Sequence, residues 1–188
     1  MIIPITTLWL PILIGAVLAF LASFVLHMLL PLHRSDFVKL PNEDEVMEAL
    51  SKHQIPPGDY VMPHGGGTEV AKTEAFQQKV QKGPVAVMTV MEPAVFTSMG
   101  STLVQWFAYL LLVGILTAYV AGRTLEAGAE YLSIFRLTGT VSFAAYSMAL
   151  MPQSIWWKKS WAATLKSMFD GLVYAALTAG AFGWLWPA

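Results

Sequence analysis

The chain alternates long apolar runs with a single polar interval, and that pattern fixes most of the expected architecture. Positions 6–32 hold 27 residues without a formal charge, whereas a bilayer core of ~30 Å needs only ~20 apolar residues as a helix. Three further apolar runs follow, at 98–122, 131–151 and 161–186. The pattern predicts an all-α integral membrane protein with four transmembrane helices and a small cytoplasmic α(+β) insertion, 33–97, between spans 1 and 2. The first run is longer than the 7–15-residue apolar core of a secretory leader and lacks its basic flank, so an uncleaved anchor is expected.

Within the insertion, Pro41-Asn42-Glu43-Asp44-Glu45 reads as a helix start, with Asn42 as the cap and three acids in the first turn, where the helix dipole favours them. A helix is expected near 43–53, ending before Ile55-Pro56-Pro57-Gly58, and a second near 70–82, with Gly83 as its left-handed stop. The apolar stretch 84–91 is of strand length and is either a strand or a segment on the membrane surface, between which periodicity does not arbitrate, and Asp59 to Met62 is short and extended in character. Pro152 with Trp156-Trp157-Lys158-Lys159 reads as the turn between the last two spans.

Small residues recur four apart on the apolar runs: Gly15, Ala19 and Ser23; Gly114, Ala118 and Gly122; Gly171, Ala175, Ala179 and Gly183. Such stripes let helix backbones approach closely where lipid removes the hydrophobic drive. They predict the packing faces of a compact bundle.

Composition supports the membrane reading. Charged residues are 12% of the chain and hydrophobic residues 56%, against ~25% charged in a soluble domain. Six basic residues (Arg34, Lys39, Lys52, Lys72, Lys79, Lys82) follow the first run, and Lys158 and Lys159 follow the third, while Arg123 alone occupies the opposite loop. The positive-inside rule then puts 33–97 in the cytoplasm and both termini in the periplasm of a bacterial inner membrane. Trp9, Trp184 and Trp186 would belt one interface, and Trp156, Trp157 and Trp161 the other. No basic run points to nucleic acid; lipid and other membrane-protein subunits are the expected partners.

Candidate chemistry is sparse. The chain has no cysteine, which excludes disulfides, thiolate metal sites and cysteine nucleophiles. His64-Gly65-Gly66-Gly67 is similar to an esterase oxyanion loop, but no G-x-S-x-G elbow accompanies it. No catalytic residue is expected. The intramembrane charges are Arg136, Lys166 and Asp170; charge inside a span is costly, and the i, i+4 spacing makes Lys166 the simplest partner for Asp170. An ion path using Arg136 and Asp170 is the alternative. His27 lies on the small-residue face and is the one candidate cofactor ligand, for haem or a chlorophyll-type pigment. His27 and His33 are six apart, which does not place them on one helical face, so no metal site and no bound cofactor are expected.

His33-Arg34-Ser35-Asp36, followed by Lys39-Leu40-Pro41-Asn42-Glu43-Asp44, resembles a family of bacterial inner-membrane proteins of about this length that has no assigned activity. The likeness continues through Gly83-Pro84-Val85, Leu103-Val104-Gln105-Trp106-Phe107 and Phe182-Gly183-Trp184-Leu185-Trp186-Pro187. Similar proteins often carry a second histidine before the H-R-S-D motif, where this chain has Leu32, a departure that argues against a histidine-pair metal site. The resemblance implies no reaction; it implies an accessory subunit of an energy-converting membrane complex. His33, Arg34, Ser35 and Asp36 are expected to form an interfacial motif, with Arg34 on lipid phosphate or paired with Asp36.

Overall fold

The computed structural model describes residues 3–188 and divides into two compact units, residues 39–99 forming one and the remainder the other. In chain order the elements are α1 (Trp9–Phe24), α2 (Glu43–Ser51), β1 (Gly58–Met62), α3 (Thr68–Ala71), α4 (Glu74–Lys82), β2 (Ala86–Val90), α5 (Ala94–Thr97), α6 (Gly100–Thr124), α7 (Tyr131–Ser147), α8 (Met151–Trp157) and α9 (Trp161–Trp184).

In the larger unit α1 packs on α6 and α9, and α7 packs on α6 and α9, which closes a four-helix ring. The small-residue stripes lie at these contacts. Ala19, Ala118, Ala175 and Ala179 are buried, Gly15 faces Thr178, and Gly114 faces Ile12. Ser23 accepts a hydrogen bond from Trp106 Nε1 at 3.0 Å. Hydroxyls join helices elsewhere: Thr117 and Ser142 lie 3.0 Å apart between α6 and α7, so each buried oxygen has its partner.

Among the described residues, three helical stretches are long and apolar enough to cross a membrane: Ile5–Leu29, Gly100–Thr124 and Tyr131–Trp157. Four were expected. The helix at 161–184 is not among them, because Lys166, Asp170 and its threonines lower its hydropathy. The third stretch also runs past the turn expected at Pro152. A 3-10 turn, Met148–Leu150, links α7 to α8, and Pro152 sits in the first turn of α8, where its missing N–H has no helical acceptor to lose.

The smaller unit has one sheet, not a lone strand. β1 and β2 pair antiparallel with Tyr60 opposite Met88 and Met62 opposite Ala86. Alternate residues of both strands are half-buried on one face, the period-2 pattern of a one-sided sheet. Across the ladder Thr89 donates to Asp59 Oδ1 at 2.6 Å. Asn42 precedes α2 but is left-handed (φ 50°) and makes no side-chain cap bond. Capping is done instead by Thr73, which accepts from Phe76 N at 3.3 Å and starts α4.

Candidate functional site

The apolar run that contains α1 does not leave the bundle as a straight helix. After Phe24 the backbone widens into a π turn, Val25–Leu29; Leu30 is then extended (φ −89°, ψ 143°), and Pro31–His33 forms a 3-10 turn. Pro31 explains the break, since the ring of a proline forces the preceding residue out of helical geometry. The chain therefore folds back on itself.

That reversal stacks the rings of His27 and His33, with centroids 4.4 Å apart and planes 1° from parallel. Helical periodicity argues against this pairing; the change of backbone state at Val25 to His33 makes it. Both imidazoles face Asp170 of α9. His33 Nε2 lies 2.8 Å and His27 Nε2 3.7 Å from Asp170 Oδ2. Asp170 is only 3% exposed, while the His27 side chain is half exposed.

The other ring nitrogens are also engaged. His33 Nδ1 is 2.7 Å from Asp36 Oδ2, and His27 Nδ1 is 3.1 Å from the carbonyl oxygen of Ser23. Lys166, one turn before Asp170 on α9, donates to Asp36 Oδ1 at 2.7 Å and to Ser35 Oγ at 2.9 Å. So the sequence-based pairing of Lys166 with Asp170 is replaced: Lys166 reaches Asp36, and Asp170 takes the histidines. Asp36 likewise pairs with Lys166 and His33 rather than with Arg34, which is exposed. The Lys166 hydrogen bond holds the Asp36 carboxyl below the usual carboxylate range, against the opposing effect of burial, with His33 adding to the lowering.

Asp170 and His27 form one end of a cavity of about 550 Å³, whose walls include Gln105, Trp106, Tyr109 and Tyr174. The Tyr174 hydroxyl and Asp170 Oδ1 are buried there without a hydrogen-bond partner. Arg136 is elsewhere: it is exposed on α7 and lines a separate groove with Phe135, Gly139 and Leu172. Arg136 and Asp170 thus do not line one path.

Of the residues singled out in the sequence, His27, His33, Ser35, Asp36, Lys166 and Asp170 converge on one site. What links them was visible only in part: the His33-x-x-Asp36 spacing and Pro31 are local signals, but the partner of Asp170 lies on a distant segment. Chemically, the arrangement presents a carboxylate–imidazole–carboxylate chain from Asp36 through His33 to Asp170, able to orient an imidazole and to neutralise a proton or cation. Comparison with family models, characterised proteins and solved structures gives no match for this chain.

The Asp36–Lys166 contact ties the turn after α1 to α9, and both side chains are largely shielded. Lys166→Met should therefore lower stability by about 1–2 kcal/mol, measured by detergent-based unfolding of the purified protein. A variant at the exposed Lys72–Glu69 pair should change it by less than about 0.5 kcal/mol.

Proposed function

We propose that this chain is a four-span protein of a bacterial inner membrane that serves as a non-catalytic accessory or assembly subunit of a larger complex. An energy-converting complex is the partner that the H-R-S-D resemblance suggests. The observation that carries the reading is the smaller unit: no residue from 39 to 99 is buried, and Met47, Val61, Val85 and Phe96 are exposed. Sixty-one residues without a buried side chain gain little stability from their own packing, and a partner surface would cover these exposed apolar side chains. The cytoplasmic insertion is then the docking element, and the helix bundle is its anchor.

A fourth span at 161–186 is supported by the way α9 packs on both α1 and α7. Of its two charges, Lys166 is paired with Asp36, so its cost in a span is reduced. Trp156, Trp157 and Trp161 near one end, and Trp9 and Trp184 near the other, are exposed, as interfacial belts require. The alternative of a transporter using Arg136 and Asp170 has less support, because those residues line separate cavities.

Gentle detergent extraction followed by native gel electrophoresis and mass spectrometry tests the reading. Migration with stoichiometric membrane partners is the expected result; a solitary small species would overturn it. The chain lacks cysteine, so His64→Cys and Ala127→Cys report topology directly. An impermeant thiol reagent applied to intact cells, after the outer membrane is made permeable, should label position 127 and spare position 64.

A further inference from the structure

We propose that His27, His33 and Asp170 form a binding site for a divalent first-row transition metal of the zinc or ferrous class. Three donor atoms, one from each side chain, lie within 4.8 Å of one another. The tautomers carry the argument. Asp36 Oδ2, held as a carboxylate by Lys166, and the Ser23 carbonyl oxygen can only accept hydrogen bonds. The Nδ1 atoms that face them at 2.7 and 3.1 Å must therefore carry the protons. In the neutral rings that leaves both Nε2 lone pairs turned toward the oxygen of Asp170.

Lone pairs facing a carboxylate oxygen repel, so something positive belongs between them. Protonating both rings is the competing solution, and two observations weigh against it. His33 Nε2 is buried and has no hydrogen-bond partner of acceptable geometry, although Asp170 Oδ2 is 2.8 Å away. Two imidazolium rings stacked 4.4 Å apart would also repel each other. A single cation satisfies all three donors. Ligands bound at 2.0–2.2 Å in tetrahedral geometry stand about 3.3–3.5 Å apart, and the observed 2.8 and 3.7 Å bracket that spacing. Loading would tilt the two rings out of their parallel stack.

The outer contacts are those of a metal site. A ligating histidine commonly donates its other N–H to a carboxylate or a backbone carbonyl, which fixes its tautomer; His33 has the first and His27 the second. Two imidazoles and a carboxylate suit zinc or ferrous iron rather than calcium or magnesium. His27 and Asp170 also border the cavity, which leaves a coordination position open to water on that side.

The test uses the full-length protein without a polyhistidine tag, stripped with chelator and titrated with Co²⁺. One equivalent should bind, with visible d–d absorption of a low-coordinate N/O site, and Zn²⁺ should displace it. His27→Ala is the key variant, because this half-exposed side chain can be removed without disturbing the fold. It should weaken binding at least tenfold while the unfolding temperature of the stripped protein stays unchanged. Asp36→Asn should weaken it ~10–100-fold and retain the absorption bands. Failure of folded wild-type protein to bind Co²⁺ or Zn²⁺ would overturn the proposal. So would binding that survives both His27→Ala and His33→Gln, since His53 or His64 would then be the ligands.

Discussion

Gly171→Ala is expected to destabilise the helix bundle by about 1–3 kcal/mol, the usual cost of forcing an extra carbon into a filled contact. A Cβ built at Gly171 collides with Ser147 Oγ, falls 3.1 Å from Tyr146 Cβ and 3.4 Å from Ser147 Cβ. The two Cβ atoms are fixed to the α7 backbone, so rotating a side chain does not relieve the crowding; α7 and α9 must move apart. Gly180, on the same helix, is the internal control. A Cβ there meets nothing within 4 Å, so Gly180→Ala should be neutral or stabilising by up to about 1 kcal/mol, the helix preference of alanine over glycine. Gly183→Ala should fall between them, because its obstacle is the Tyr131 ring, which can swing aside. Unfolding of the three purified variants in mixed micelles gives the order; equal effects at 171 and 180 would refute the close-approach account.

His33→Leu is expected to cost about 3–5 kcal/mol, the scale for removing one member of a buried polar pair. The measurement belongs on chelator-stripped protein, so that the binding free energy of a metal does not add to the folding free energy. His33 contacts Asp170 on one side and Asp36 on the other; Asp36 keeps Lys166, so the loss falls chiefly on Asp170, which is only 3% exposed. The double variant His33→Leu/Asp170→Leu should recover part of the loss, since an apolar replacement of both partners removes the unpaired group. A coupling energy of about 0.5–3 kcal/mol in the double-mutant cycle is the expected signature. Strict additivity would mean that the two side chains do not interact.

Much of the bundle was legible in the linear pattern. Uncharged runs gave the long helices, and spacing of four gave Gly15, Gly114 and Gly171, each of which faces another helix. These features are local: a helix of 3.6 residues per turn converts spacing directly into a face. Gly83 was legible as a helix stop because a positive φ favours glycine, whereas the stretch holding the strand at 86–90 was legible in its length and apolar character alone. The helix boundary at Pro152 was misread, because a proline in the first turn of a helix looks the same in sequence as one that ends it.

The sequence by itself determined that the chain carries membrane-length apolar helices, that small residues line their contacts, and which few charged or ring side chains stand in unusual surroundings. Only the tertiary structure decided how those side chains combine. His27 and His33 meet because the backbone passes from π turn to extended residue to 3-10 turn, a reversal that helical periodicity cannot express. Lys166 reaches Asp36 across 130 residues, and Asp170 reaches His33 from the same helix face. Those contacts depend on how α9 is rotated and seated against the end of α1, and that is set by the packing of all four helices together.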